Sequence, residues 1–245
     1  MSKFKTLTKV IKGYLKNKMN IRNEILVPEA YYHIYNRGIN SGKIFSSEEN
    51  YLFFLSKFAT YLNPICDVFA YCLMPNHFHF LIRIKSEDEI RNFLKAQNPK
   101  TKTFVKVQNF DKGITDKIQN FDKLNNHEKG LHSFDSIVSK QIGKFISSYS
   151  QAYNKVSNRH GALLESPFKR KRIDSDEYLR NLILYIHLNP TDLKQNFEVY
   201  KFSSYKSIVS NSKTKLKREE IINIFDDVEN FIYSHRHPPK FDFSF

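Results

Sequence analysis

Residues 66–84 read CDVFAYCLMPNHFHFLIRI, and this stretch decides the fold. Two runs rich in aromatic and β-branched residues, 66–73 and 77–84, are separated only by the three residues 74–76. Short apolar runs joined by so few residues are typical of two antiparallel strands linked by a tight hairpin. The sequence therefore predicts a hairpin at the centre of an antiparallel sheet.

The second run of the hairpin alternates between polar and apolar side chains. Because successive side chains of a strand leave opposite faces, His77 and His79 share one face of the predicted sheet. The other face receives Phe78, Phe80, Ile82 and Ile84. Two imidazoles thus lie side by side over a sheet whose reverse face is apolar.

The remaining elements follow from hydrophobic spacing and from the residues that begin and end helices. Ser46 with Glu49, and Asp174 with Glu177, have the spacing of helix caps. The predicted elements, in chain order, are a strand at 31–37, a helix at 46–62, the two hairpin strands, a helix at 135–158, an extended segment at 162–173 and a helix at 175–189. This order favours an α+β fold, a ferredoxin-like (RRM-like) antiparallel sheet of four or five strands with helices on one face.

Three segments differ from the rest in composition. Residues 1–26 form a basic arm, and residues 86–132 form a polar insertion in which the pentad QNFDK occurs twice. A polar linker and short helices are expected in 211–245. The predicted organisation is therefore an arm, one domain over 27–210 and a C-terminal region.

Composition limits the classes of function. The chain of 245 residues carries 39 Lys and Arg against 25 Asp and Glu, a formal net charge of +14. Such a charge favours a polyanionic partner, nucleic acid first and an anionic membrane second. The only cysteines, Cys66 and Cys72, are about 20 Å apart on one extended strand, too far for a disulfide. No apolar run is long enough for a membrane helix, and no secretion signal is evident, so we expect a cytoplasmic, nucleoid-associated protein without membrane contacts.

Two histidines at this spacing can hold a divalent metal ion, because neutral imidazoles bind Mn²⁺, Zn²⁺ or Fe²⁺ and tolerate Mg²⁺ alongside oxygen ligands. The alternative is a pair of hydrogen-bonded, half-buried histidines. His235 and His237 have the same spacing near the C-terminus but no strand pattern, so we discount them.

The predicted helix at 175–189 carries an unusual polar stripe. Tyr185 has Asn181 one turn before it and Asn189 one turn after it, and Tyr178 lies near the same line. The opposite stripe, which we expect to face the core, consists of Leu179, Ile183 and Ile186. A surface tyrosine over a sheet edge is the alternative interpretation.

These motifs resemble those of one family. MPNHFHFLI at 74–82 and YIHLNP at 185–190 are similar to the HUH single-strand DNA transposases, the tyrosine transposases of small insertion sequences, and more closely to the REP-associated tyrosine transposases. YHIYNRG at 32–38, GALLESPFKRKRI at 161–173 and FSSY at 202–205 share the resemblance, which covers about 30–210 apart from the insertion. It also implies a ferredoxin-like core.

The resemblance implies specific roles. His77 and His79 match the metal-binding histidines, Tyr185 matches the nucleophile, and Asn189 matches a further metal ligand that is glutamine in insertion-sequence members. The implied activity is metal-dependent cleavage and transfer of single-stranded DNA beside hairpins through a covalent 5′-phosphotyrosine, with Mg²⁺ or Mn²⁺ as cofactor. Family members act as monomers or homodimers.

Basic residues are expected to contact the DNA backbone. The best candidates are Lys169, Arg170, Lys171 and Arg172. Asn36 and Arg37, at the end of the first strand, are also expected to face DNA. An alternative for the basic run is a solvated edge strand protected by its charge.

Rival functions remain open at this point. A replication initiator or relaxase shares the same residues but usually carries further modules. A non-catalytic nucleic-acid-binding module on the same fold is the second alternative, and an anionic-membrane protein is the third.

Overall fold

A computed structural model describes residues 24–97 and 133–239. The strands are β1 (Tyr31–Arg37), β2 (Cys66–Met74), β3 (His77–Ile84) and β4 (Lys169–Ile173). The helices are α1 (Glu48–Tyr61), α2 (Glu87–Gln97), α3 (Phe134–Val156), α4 (Asp176–Leu188), α5 (Tyr205–Val209), α6 (Arg218–Ile224) and α7 (Val228–Arg236), with 3₁₀ turns at Ile39–Ser41 and Asn189–Leu193.

The four strands form one sheet in the order β2-β3-β1-β4, and every neighbouring pair is antiparallel. This is the strand order of a ferredoxin-like fold, so the predicted α+β class and the antiparallel sheet are confirmed. The hairpin of β2 and β3 has the predicted position, with His77 paired to Met74 across the turn.

The apolar face of the sheet packs against α1 and α3. Phe78 and Phe80 of β3 meet Phe54 of α1, with ring centroids 5.0 and 6.3 Å apart. Phe54 in turn contacts Phe145 and Tyr149 of α3 in edge-on arrangements. These aromatic side chains are all fully or almost fully buried. The face predicted to be apolar is therefore the main core.

The structure adds a layer that the predicted arrangement, with helices on one face, lacks. Helix α4 lies on the opposite face, over β2 and β3, and the C-terminal helices pack around it. The reason is that this face is also apolar over part of its area, where Leu81 and Ala70 are fully buried. A sheet with apolar residues on both faces needs a cover on each side.

The first residues of two helices and the extent of one strand differ from the predicted ones. The cap of α1 is Ser47 with Asn50 rather than Ser46 with Glu49. Helix α4 is capped by Ser175, whose hydroxyl accepts a hydrogen bond from the backbone N–H of Tyr178. The extended segment at 162–173 contains regular strand only over β4.

The beginning of the polar insertion is helical. Glu87–Gln97 form α2, and Ile90 of this helix is buried in the main core. The QNFDK repeats lie in residues 98–132 and the basic arm lies mostly in residues 1–23, both outside the described residues. From Glu24 onwards the chain is packed on the domain, and Leu26 is 1% exposed.

The chain after residue 200 packs on the sheet and on α4, and Ile221, Phe225 and Phe231 of the C-terminal region are buried. Residues 202–204 lie along the outer edge of β2, where the N–H of Leu73 donates to the carbonyl of Phe202 and that of Ser204 to the carbonyl of Tyr71. The sequence predicts short helices after residue 211 and leaves open whether they cover the site or mediate association, and the structure packs them against α4.

A buried hydrogen-bond chain joins this region to α4. His187 Nδ1 lies 2.8 Å from His235 Nε2 of α7, and His187 Nε2 lies 2.7 Å from the hydroxyl of Ser204. His235 Nδ1 donates to the carbonyl of Phe231. The discounted histidine at position 235 is therefore a structural one, whereas His237 is exposed.

Two further predictions from the sequence concern the cysteines and membrane-spanning segments. Cys66 and Cys72 are both buried and free, as expected. Among the described residues, no helix combines the length and the apolar character needed to cross a membrane.

The buried histidine chain predicts acid sensitivity. Burial lowers the pKa of His235 to about 4, against an ordinary value of 6.5, and the hydrogen bond to the Phe231 carbonyl only partly offsets this. Between about pH 6.5 and pH 4, His235 is protonated in the unfolded chain but neutral in the folded chain. The free energy of unfolding therefore falls as the pH drops through this range. The loss expected from this group alone is about 3 kcal/mol at pH 4.

Urea unfolding at a series of pH values measures this loss. His235→Gln should have lower stability at neutral pH but a shallower decline between pH 6.5 and 4. His237→Gln, which changes an exposed histidine two residues away, should keep the wild-type slope. Equal slopes for wild type and His235→Gln would contradict the assignment.

Candidate active site

The face of the sheet under α4 brings together the residues singled out by the motifs. His77 and His79 of β3 leave this face, as do His33 and Tyr35 of the neighbouring β1, where Tyr35 pairs with His79. Helix α4 crosses above them and carries Tyr185. The lower layer of the site is therefore fixed by strand register and the upper layer by one helix.

Tyr185 lies directly against the histidines. Its ring centroid is 5.3 Å from that of His79 in an edge-on arrangement, and 6.3 Å from that of His33. The side chain is half-buried, while Ile183 and Ile186 on the other side of α4 are fully buried. The tyrosine is thus held by the burial of its own helix.

Asn189 reaches the same site from the end of α4. The 3₁₀ turn that continues the helix keeps Asn189 buried, at 4% exposure. Its side-chain NH₂ donates to the backbone carbonyl of Tyr185 at 2.8 Å, which directs Oδ1 towards His77 Nε2 at 3.3 Å. The structure therefore brings His77, His79, Tyr185 and Asn189 together.

His77 faces two carbonyl oxygens. Its Nδ1 lies 2.7 Å from Oδ1 of Asn76, and its Nε2 lies 3.3 Å from Oδ1 of Asn189. The NH₂ group of Asn76 donates to the carbonyl of Ser41, which fixes the orientation of that amide. A neutral imidazole has one N–H, so one of its two contacts with oxygen brings two lone pairs together.

Gly38 anchors the turn that holds Asn76. The N–H of Gly38 donates to the backbone carbonyl of Asn76 at 2.8 Å. A Cβ at position 38 would lie only 2.0 Å from the carbonyl oxygen of Gly42, so a larger residue cannot be accommodated without backbone movement. The glycine thus allows the close approach that positions the amide beside His77.

Burial sets the charge state of the site. Burial lowers the pKa of His77, partly opposed by the Asn189 hydrogen bond and the nearby charge of Asp192. Burial lowers the pKa of His79 well below its ordinary value, and that of His33 to about 3. The imidazoles are neutral at pH 7, which is the form that binds metal ions.

The phenol of Tyr185 is also uncharged. Burial raises its pKa to about 12, although the Asn189 side-chain hydrogen bond lowers it in part. A phenol in this state is a weak nucleophile at neutral pH unless a cation or a base assists it.

The basic run of β4 does not act as one surface. Lys169 and Lys171 lie on the face of Tyr185, with their ammonium groups 5.8 Å from the Tyr35 ring and 4.6 Å from the Tyr178 ring. Arg170 points the other way, where it binds the Glu24 carbonyl, Ser139 and Asp135. Arg172 is the exposed member of the run.

The two β1 candidates also differ. Asn36 is buried, at 1% exposure, and its side chain joins the N–H of Arg37 to the carbonyl of Glu165. Arg37 is exposed and pairs with the Glu165 carboxylate, which also pairs with Lys169 at 3.0 Å. Asn36 therefore supports the 161–168 segment from beneath, while Arg37 lies at the surface.

Sequence reasoning missed two residues of this site. His33 is fully buried beside His79, and Asp192 is exposed one turn beyond Asn189. Asp192 continues the Tyr185 and Asn189 stripe at the next helical step, so that spacing could have identified it. The position of His33 depends on the register of β1 with β3, which no local pattern gives.

Across residues 24–97 and 133–239, no group of three or more His, Cys, Asp or Glu residues is arranged to hold a metal ion. The candidate site differs in composition, since it combines two imidazoles with a carboxamide. Its fit to a cation therefore depends on His77, His79 and Asn189 alone.

No protein-family model and no curated protein matches this chain. Among solved structures, the chain is similar to a REP-associated tyrosine transposase bound to a REP hairpin, with 12% sequence identity and a TM-score of 0.45. The match covers 78% of this chain and 84% of that one.

Because Arg170 is held by α3 and Arg172 is exposed, we expect their replacement to change the stability of the fold by different amounts. Arg170→Ala removes partly buried hydrogen bonds and should lower the free energy of unfolding by about 1–3 kcal/mol. Arg172→Ala removes the same charge from an exposed position and should change stability by less than about 0.5 kcal/mol. Urea unfolding of both variants measures the difference, and equal effects would contradict it.

Proposed function

We propose that this protein cleaves and rejoins single-stranded DNA, with Tyr185 as nucleophile and with a divalent metal ion held by His77, His79 and Asn189. The observation that carries the proposal is the approach of Asn189 Oδ1 to His77 Nε2 at 3.3 Å, directly beside the tyrosine that packs on His79. Helix α4 supplies the tyrosine, and the 3₁₀ turn that continues it supplies the amide, to two histidines of the sheet.

The residues present fit a divalent cation. Two ligand atoms that each lie about 2.1 Å from one metal ion are themselves roughly 3.0–3.4 Å apart. The separation of His77 Nε2 and Asn189 Oδ1 falls in that range. With Nδ1–H of His77 donating to Asn76, both facing atoms are acceptors, and a cation between them would remove their repulsion. When bound, Mg²⁺ or Mn²⁺ would polarise the scissile phosphate and stabilise the charge that develops on it.

Tyr185 provides the covalent step. Its phenolic oxygen attacks the phosphorus, a bond from that oxygen to phosphorus forms, and the bond from phosphorus to the 3′ oxygen breaks. The phenolic proton ends on the departing 3′ oxygen, leaving a 5′-phosphotyrosine and a free 3′-hydroxyl. Since the phosphodiester energy is kept in the new ester, attack by another 3′-hydroxyl rejoins DNA without ATP.

The substrate class follows from charge and from the motif resemblance. The net charge of +14 favours a nucleic acid. Arg37 is exposed and pairs with His77 across the sheet, and it is our candidate for contacts with phosphates, together with Lys169 and Lys171 of the same face. Arg172 is exposed as well, but it alternates with Lys171 along β4 and lies on the face of Arg170. Hairpin-forming single-stranded DNA is the substrate of the family whose motifs this chain shares, and we extend it to this protein.

The second candidate is a nucleic-acid-binding module that keeps the fold without the chemistry. The charge of the chain favours it equally. It differs from the first in predicting no covalent product, so one experiment separates the two.

Tyr185→Phe should abolish the covalent adduct while leaving hairpin binding within a few-fold of wild type, because only the hydroxyl is removed. The measurement is incubation of a labelled single-stranded hairpin library with Mg²⁺ or Mn²⁺, followed by a denaturing gel. Tyr178→Phe, two turns earlier on the same stripe of α4, is the matched control and should keep the adduct.

Loss of the adduct in Tyr178→Phe but not in Tyr185→Phe would reassign the nucleophile. Tight hairpin binding by wild type without an adduct under any metal would establish the binding module instead.

Metal binding is measured separately as a thermal shift. Mn²⁺ at about 100 times its dissociation constant should stabilise wild type by roughly 2.7 kcal/mol, or about 5–10 °C in Tm. The shift should be reversed by EDTA and lost in His77→Ala, while His237→Ala, a change of an exposed histidine, should retain it. An undiminished shift in His77→Ala would remove that residue from the site.

A further inference from the structure

His33 is a buried polar residue next to the candidate metal ligands, and the motifs give it no role. It lies in the middle of β1 and is 0% exposed. Since Tyr35 of β1 pairs with His79 of β3, His33 is a diagonal neighbour of His79 on the same face. Its Nε2 lies 2.8 Å from Nδ1 of His79, within hydrogen-bonding distance.

The ring of His33 is held in place on several sides. It stacks on Tyr35 with centroids 4.5 Å apart and planes 22° apart, and it meets the ring of Tyr185 edge-on. Its plane is within 20° of that of His79. The hydrogen bond between the two histidines is therefore formed by rings that packing keeps in fixed orientations.

The direction of this hydrogen bond decides whether His79 can bind a cation. If His33 donates, His79 accepts at Nδ1 and carries its own hydrogen on Nε2, which leaves no lone pair for a metal ion. If His79 donates from Nδ1, its Nε2 keeps a lone pair. Histidine ligands of metals usually donate their other N–H to a neighbouring acceptor, which fixes their tautomer.

We propose that His33 is a positioning residue that accepts the Nδ1–H of His79 and so keeps His79 in the tautomer whose Nε2 can bind the metal ion. This inference rests on the proposed function, because it assumes the same metal site. His77 is arranged in the same way, since its Nδ1 lies 2.7 Å from the oxygen acceptor of Asn76. In this arrangement each of the two histidine ligands has an acceptor facing its Nδ1. The acceptor is the Asn76 amide oxygen for His77 and the His33 imidazole for His79.

The full chain, labelled with ¹⁵N in its histidines, tests the proposal without DNA. Long-range ¹H–¹⁵N spectra distinguish the two neutral tautomers, and His79→Gln identifies the signals of His79. Wild type should have His79 protonated at Nδ1. His33→Leu removes the acceptor and should move His79 towards the Nε2–H tautomer, whereas His33→Gln offers a carbonyl oxygen and should preserve Nδ1–H.

Mn²⁺ affinity, measured by calorimetry, is the second readout. His33→Leu should weaken binding by about 10–100-fold, the usual effect of losing such a partner. His33→Gln should stay within a few-fold of wild type. Rescue by glutamine distinguishes an acceptor role from one of filling space, because leucine fills much of the same volume without an acceptor.

Two results would overturn the proposal: a wild-type His79 protonated at Nε2, or a His33→Leu protein with unchanged tautomer and unchanged Mn²⁺ affinity. The wild-type tautomer decides the matter even if His33→Leu does not fold. Failure of the proposed function would look different, since wild type would form no Tyr185 adduct whatever the tautomer of His79.

Discussion

The alternation of side chains along β3 is the constraint on which the rest of the structure depends. Phe78 and Phe80 leave one face of the sheet and enter the aromatic core under α1 and α3. In a strand, this places His77 and His79 on the other face together with Leu81. A one-residue shift of register would exchange the two sets and bury both imidazoles among phenylalanines. The cost of that exchange keeps the histidines where α4 can cover them.

Covering the histidine face explains why the C-terminal region is part of the domain. Helix α4 buries Leu182, Ile183 and Ile186 completely, and these side chains need partners beyond the sheet. The partners include Tyr205 and Phe231 of the later helices. His187, two residues after Tyr185, is tied to the same layer through His235. The position of the candidate nucleophile therefore depends on residues far beyond the motif that contains it.

Features of the fold that are local in sequence could be predicted, and those that arise from distant partners could not. The hairpin, the helix of Tyr185 and the polar stripe from Tyr185 to Asn189 follow from periodicity and from helix ends. The second helical layer, α4 with the helices after residue 200, could not be predicted. The apolar segments after residue 200 are too short to show which surface they pack against. In the sequence Arg170 does not differ from its neighbours in the basic run, because the residues that bind it, Asp135 and Ser139 of α3, are distant in the chain. The adjacency of His33 and His79 needed the pairing of β1 with β3, which no single segment specifies.

Hydrogen-bond balance gives the physical argument for a cation beside Tyr185. In two buried histidine pairs among the described residues, His33 with His79 and His187 with His235, the two facing nitrogens can be made donor and acceptor by choosing tautomers. His77 cannot be matched in this way, since both of its ring nitrogens face amide oxygens whose NH₂ groups donate elsewhere. A second proton on His77 would restore the balance, but burial opposes a charged imidazole there and lowers its pKa. In the proposed function, a metal ion at Nε2 would satisfy the nitrogen and the Asn189 oxygen together, and it would bring its positive charge to the place where a scissile phosphate would meet the phenol.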